Sequence, residues 1–199
     1  MKESFLKCLF LKTCNIGASV DDSDELRLQK SILVICSIPF MIAGAAWGMM
    51  YYFFGEPIAA IIPLSYSVFS LISLIYFGWT HHFSIFRFSQ LLLILLLPFF
   101  LMWALGGFVR GSVVILWGLN CPLGALLFEK PSNAPRWLVA YLVLLITSVV
   151  IQPWLPGPHN LTWTQINLFF LINLVAVSAL IFMMVYYFVR QRNYYQART

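Results

Sequence analysis

The chain has 199 residues, of which 61% are hydrophobic and only 10% are charged, and its mean hydropathy is +0.87. Soluble domains carry roughly a quarter charged residues, and a fold of this size cannot bury so much apolar surface in one small core. The same composition excludes a disordered chain. We therefore expect an integral membrane protein whose main partner is the lipid bilayer.

Apolar windows of about 20 residues, the length that crosses a bilayer as a helix, predict an all-α bundle of six transmembrane helices. Their approximate ranges are 32–54, 58–79, 88–105, 113–128, 137–152 and 167–189.

The windows divide the chain into three parts. Residues 1–30 form a cytoplasmic N-terminal segment, 31–189 the membrane domain, and 190–199 a cytoplasmic exit helix. Met1–Cys14 is either an amphipathic surface helix or a frayed extension. The acidic stretch from Asp21 predicts a capped helix that leads into the first span. At the other end no glycine or proline interrupts the sixth helix before Gln196, which is typical of a connector.

The basic residues predict the orientation of the bundle. Eleven of the twelve Lys and Arg fall in the N-terminal segment, the even-numbered loops and the C-terminal tail, and only Arg110 falls on the other side. Cytoplasmic loops are enriched in Lys and Arg. We expect both termini on the cytoplasmic side of a bacterial inner membrane. The net charge of +5 indicates a basic cytoplasmic face of the membrane domain and does not indicate nucleic-acid binding.

The distribution of titratable residues argues against chemistry inside the membrane. All seven acidic residues lie outside the predicted spans, whereas pumps and proton-coupled transporters usually place such groups at mid-membrane depth. Neither His81 nor His82, adjacent in a loop, nor His159 lies within a span, so haem or metal ligation between helices is not expected. The sequence predicts no catalytic residues, no metal and no cofactor.

A few polar and aromatic side chains stand out within or beside the spans. We expect Ser65, Tyr66 and Asn173 to bond neighbouring helices, because an amide or hydroxyl in hydrocarbon requires a partner.

The alternative role for such groups is to line a small pocket. The candidates for ligand contact are Trp103, Arg110, Trp117 and Asn120. Arg110, the only basic residue on its side, either attracts an anionic group or pairs with Glu56.

Six short motifs, in this order and spacing, carry a resemblance to a known family: 27–31 (RLQKS), 86–90 (FRFSQ), 96–99 (LLPF), 105–108 (LGGF), 122–128 (PLGALLF) and 188–191 (FVRQ). Between about residues 24 and 196 the chain resembles the six-helix N-terminal membrane domain of bacterial class III adenylate/guanylate cyclases, which is related to membrane domains of some sensor kinases.

The resemblance implies a membrane anchor that forms a homodimer and relays a signal through the sixth helix to a cytoplasmic cyclase or kinase effector. The family's catalytic part, with its two metal-binding aspartates, is not in this sequence, so no enzymatic activity is expected of these residues themselves. The alternatives are a small channel or transporter subunit, and a purely structural membrane anchor.

Overall fold

The computed structural model describes residues 13, 15–19, 21–130, 132–157 and 160–196. The predicted surface helix at Met1–Cys14 falls almost entirely outside them. The described residues contain no strand, which confirms the all-helical prediction. They form, in order, α1 (Asp24–Phe53), α2 (Pro57–Thr80), α3 (Phe83–Ala104), a 3-10 helix (Val114–Leu119), α4 (Asn120–Phe128), α5 (Ala134–Ile151), a short 3-10 helix (Gln152–Trp154) and α6 (Trp163–Gln196).

Five of these helices, α1, α2, α3, α5 and α6, are long and apolar enough to cross a membrane, as expected of a multi-pass membrane protein. The fourth predicted span is shorter and is not one continuous α-helix: its first six residues are 3-10 and the next nine are α. Because a 3-10 helix rises about 2.0 Å per residue and an α-helix about 1.5 Å, the combined segment is about 25 Å long.

Pro122 and Asn120 explain the change of helix type in this segment. Pro122 has no N–H to donate to the carbonyl four residues earlier, so the α-helical hydrogen-bond pattern cannot extend unbroken across it. Asn120 closes the 3-10 turn, because its Nδ2 donates to the carbonyl of Trp117 at 3.0 Å.

The long helices begin before their hydropathy windows, and in α1 a side-chain cap fixes the first turn. Ser23 caps α1: its Oγ accepts the N–H of Leu26 at 3.2 Å. Two acidic residues follow in the first turn and suit the helix dipole. Arg87, which was expected in a loop, lies inside α3, where Nη1 donates to the carbonyl of Phe128 at 2.9 Å and Nε lies 2.9 Å from Glu129.

Two glycines let α1 and α2 pack closely. A Cβ on Gly48 would come within 2.5 Å of Leu64 Cγ and 2.9 Å of the carbonyl oxygen of Ala60. Gly44 faces Pro63 and Ser67 in the same way. The hydroxyl of Ser67 uses this proximity to donate to the carbonyl of Met41 on α1, at 2.7 Å.

The loops at one end of the bundle, here called the Glu56 end, hold one another. Asn160 donates its backbone N–H to Glu56 Oε1 and its Nδ2 to the carbonyl of Gly55, both at 2.7 Å. Gln152 bridges to the turn after α3: Oε1 accepts the N–H of Phe108 at 3.1 Å, and Nε2 donates to Gly106 at 3.2 Å. The loops after α1, α3 and α5 therefore lie at the same end.

The opposite end, here called the Lys30 end, is fixed by a buried ion pair. Lys30, 3% exposed, donates to both carboxylate oxygens of Asp22 at 2.7 and 2.8 Å and to the carbonyl of Gly17 at 3.0 Å. Gly17 has a φ of +70° and packs on the ring of Phe77, which stacks on Phe86 at a centroid distance of 4.8 Å. The segment before α1 is thereby attached to α2 and α3.

We predict that Gly48→Ala lowers the thermal midpoint of the purified protein, because the added methyl must displace the backbone of α2. The expected loss is about 1–3 kcal/mol, the usual cost of overpacking. Gly78→Ala is the matched control, since a Cβ there meets only Ile16 Cγ2 at 3.6 Å. That substitution should leave the midpoint unchanged or raise it; equal losses in both variants would contradict the close α1–α2 contact.

The Asp22–Lys30 pair predicts a pH dependence. The hydrogen bond from Lys30, followed by that from the N–H of Ser19, lowers the pKa of Asp22 below its ordinary 3.8. A lowered carboxyl pKa stabilises the fold above the ordinary value, and this contribution disappears as the pH falls through the folded value. Asp22→Asn should therefore lower the thermal midpoint at neutral pH and flatten its fall in acid. Asp21→Asn, at the exposed neighbouring position, should do neither.

Candidate functional site

A cavity of about 340 Å³ lies between α1, α2, α3, the first 3-10 helix and α6. Its volume is within the usual range of small-molecule sites. The residues that shape it most are large or rigid, and include Phe40, Trp47, Pro63, Leu97 and Trp117. Ala176 of α6 closes one side.

The cavity is lined by carbon. Its lining residues are all aliphatic, aromatic, glycine or proline. Tyr66 contributes its ring, because its hydroxyl is buried away from open space and has no hydrogen-bond partner among the described residues. A water molecule in a cavity needs two to four polar partners, so this lining favours hydrocarbon over water.

The cavity opens to the outer surface of the helices and is not sealed within them. In a bilayer that surface faces hydrocarbon, so we expect hydrocarbon to fill this carbon-lined space.

Trp117 connects the cavity to α6. Its ring lines the cavity and meets Phe40 of α1 edge-to-face at a centroid distance of 5.9 Å. On the far side Nε1 donates to Asn173 Oδ1 at 3.0 Å. Asn173, 0% exposed, donates its Nδ2 to the carbonyl of Ser112 at 2.9 Å, and the Ser112 hydroxyl donates to the carbonyl of Ile166 at 2.9 Å. We call these three side chains, Trp117, Asn173 and Ser112, the α6 anchor.

The packing of α6 is confined to the part nearest the Glu56 end. Phe169 lies 5.4 Å from Tyr51, 6.0 Å from Phe54 and 6.4 Å from Trp47, measured between ring centroids. The buried residues of α6 are Ile166, Phe169, Asn173 and Val177. No residue whose side chain is described between Val177 and Arg190 is buried. The described side chains of α6 between Val177 and Arg190 therefore have no more than partial contact with the other described residues.

The four residues predicted to contact a ligand do not form one site. Trp117 lines the cavity. Trp103 instead packs on α5, where its Nε1 donates to Ser148 Oγ at 2.8 Å. Asn120 caps the 3-10 helix, and its Oδ1 is buried with no partner among the described residues. Arg110 is exposed at the Glu56 end, with its guanidinium against Gly157.

The proposed pairing of Arg110 with Glu56 is not present. Glu56 accepts the N–H of Asn160 instead, and the ion pairs within the described part of the chain are Lys30–Asp22 and Arg87–Glu129.

The three polar residues expected to bond neighbouring helices also differ in their contacts. Asn173 bonds residues of another segment. Ser65 donates to the carbonyl of Ile62 in its own helix at 2.7 Å, because a serine hydroxyl reaches the preceding turn more easily than a neighbouring helix. The Tyr66 hydroxyl makes no hydrogen bond to a neighbouring helix among the described residues; Ser70, the polar group beside it, lies one turn away in the same helix, and the ring lines the cavity.

Two glutamines were missed by the sequence reasoning. Gln90, 1% exposed, accepts the hydroxyl of Ser70 across α2 and α3 at 2.9 Å, and its Nε2 has no partner among the described residues. Gln152 closes the Glu56 end. Gln90 stands in a run of leucines and phenylalanines, so an amide in an apolar run was the available signal. No group of three or more His, Cys, Asp or Glu in the described part of the chain is arranged to hold a metal ion.

Comparisons with known proteins do not identify a relative of this chain, so the proposal below is argued from the geometry of the site and from the sequence motifs. No family model matches the chain. No curated protein and no solved structure matches it either.

Proposed function

We propose that this chain is a membrane anchor and receptor domain that relays a signal through α6 to a cytoplasmic effector of the adenylate/guanylate cyclase or kinase type. The observation that carries the proposal is the one-sided attachment of α6. A helix fixed near one end and loosely packed over the rest can adopt two positions at low cost, and a ligand that prefers one of them shifts the population.

The length of α6 supports a role outside the bilayer. Its 34 residues correspond to about 51 Å of helix. A hydrocarbon core is about 30 Å thick, so roughly 20 Å extends beyond it when the helix begins at the opposite interface. The basic residue Arg190 lies in this extension.

The proposed topology places both termini in the cytoplasm of a bacterium, with six crossings of the inner membrane. The positions of the loops support it, because the loops after α1, α3 and α5 share the Glu56 end. Arg87 meanwhile joins the start of α3 to the end of α4 at the Lys30 end. The 3-10/α4 segment thus runs from one end of the bundle to the other, and is the sixth crossing of the proposal.

The six motifs given above support the type of effector and a homodimeric state, which brings two catalytic domains together. A small channel or transporter subunit receives less support, because the cavity is lined by apolar residues and offers no polar path to a solute. If the chain is a purely structural anchor, substitutions in α6 should not change the output of a fused effector, and the following experiment tests this.

To test the relay, residues 1–199 are fused to the catalytic domain of a class III cyclase and expressed in a bacterial strain that lacks its own cyclase. We predict that Asn173→Ala changes cyclic AMP production by about fivefold or more, the lower range of allosteric coupling, because it removes the hydrogen bonds of α6 to Trp117 and to the carbonyl of Ser112. Asn167→Ala, on an exposed face of the same helix, is the control. Equal output from both variants and the parent at equal membrane levels would favour a structural anchor.

A further inference from the structure

We infer that the cavity is the binding site of one saturated hydrocarbon chain of about 14 carbons, carried by a single-chain amphiphile dissolved in the bilayer. This deepens the proposed receptor function by naming the class of its ligand. The argument uses the volume of the cavity, the chemistry of its lining and its connection to α6.

The volume sets the size of the chain. An apolar cavity of about 150 Å³ holds one benzene molecule, which has six carbons. In proportion, 340 Å³ holds about 14 carbons. The volume therefore matches one acyl or alkyl chain of this length.

The residues that line the cavity determine which part of the ligand can bind there. Two lining residues, Trp47 and Trp117, carry an indole N–H, and that of Trp117 donates to Asn173. The hydroxyl of Tyr66 is buried, and the accessible surface of the cavity is almost entirely carbon. A charged or hydrogen-bonding ligand group would lose its solvation here without compensation. The polar head of the amphiphile therefore stays outside the cavity.

The receptor function selects between two sources of such a chain. Phospholipid acyl chains are present at constant concentration and would give constant occupancy. A minor single-chain amphiphile, such as a fatty alcohol or a fatty acid, changes occupancy as its concentration changes. On this point the inference rests on the proposed function.

The contacts around the cavity indicate that a bound chain acts on Trp117 and α6. Trp117 and Ala176 both border the cavity, and Asn173, which holds Trp117, lies one turn before Ala176 on α6. A chain that fills the space braces the indole ring and this turn of α6 together. An empty cavity leaves the ring free to move inward and to release Asn173.

Photo-crosslinking of the full chain in phospholipid nanodiscs tests the inference. The probe is a saturated primary alcohol of about 14 carbons with a diazirine on its last carbon, and the labelled residues are mapped by mass spectrometry. We expect label on cavity-lining residues and its competition by the unlabelled alcohol. A second arm carries the diazirine at the end of one chain of a phosphatidylcholine, and should label cavity-lining residues less than the alcohol probe does, relative to outward helix faces.

Matched variants separate the cavity from the bulk lipid surface. Ala176→Leu places a larger side chain in the cavity and should lose most of the label. Ala179→Leu adds the same side chain on an exposed face of the same helix and should keep it. Where Ala176→Leu lowers the yield of folded protein, the pair Ala43→Leu, at the cavity, and Ala46→Leu, on an exposed face of α1, makes the same comparison.

Three results would overturn the inference: label confined to outward faces, equal label in cavity and control variants, or preferential cavity labelling by the phosphatidylcholine probe. The relay is measured separately by the cyclase fusion. Cavity label without a response of the fusion to Asn173→Ala keeps the chain site and rejects the relay. A responsive fusion without cavity label keeps the relay and rejects this ligand.

Discussion

The hydrogen bond between Trp117 and Asn173 has a central place in the structure because two otherwise separate features depend on it. Asn173 bonds α6 to the bundle through its side chain, and Trp117, its partner, lines the cavity beside α6. An amide in hydrocarbon has few alternative partners, so a hydrogen bond of this kind fixes the register of a helix even where its net energy is only about 0.6–2 kcal/mol. Loss of the bond therefore alters both the position of α6 and the shape of the cavity.

The two ends of the bundle are built differently. At the Glu56 end, short polar contacts from Asn160 and Gln152 join three loops, and Phe169 packs among aromatic rings of α1. At the Lys30 end the contacts between described residues join α2, α3 and the segment before α1, and no described side chain of α6 beyond Val177 is buried. The described contacts of α6 are therefore concentrated at the Glu56 end, and the proposed relay uses this asymmetry.

Hydropathy located the helices because the length of an apolar run is a local property of the chain. It did not identify the 3-10 turn from Val114, since hydropathy does not depend on helix type, although Pro122 and Asn120 were visible. The start of α3 was placed too late because Arg87 was expected in a loop, whereas Phe128 and Glu129 hold it inside the helix. Nor could the sequence separate Trp103 from Trp117, because their roles depend on which helix supplies the hydrogen-bond acceptor.

Distances between spin labels test the one-sided attachment of α6 most directly. One pair, at Val109 and Thr164, reports the Glu56 end, and a second pair, at Ser84 and Tyr186, reports the Lys30 end; all four side chains are exposed. We predict a narrow distance distribution for the first pair and a broad one for the second, with Asn173→Ala shifting the second pair further. Two equally narrow distributions, both unchanged by Asn173→Ala, would contradict the account.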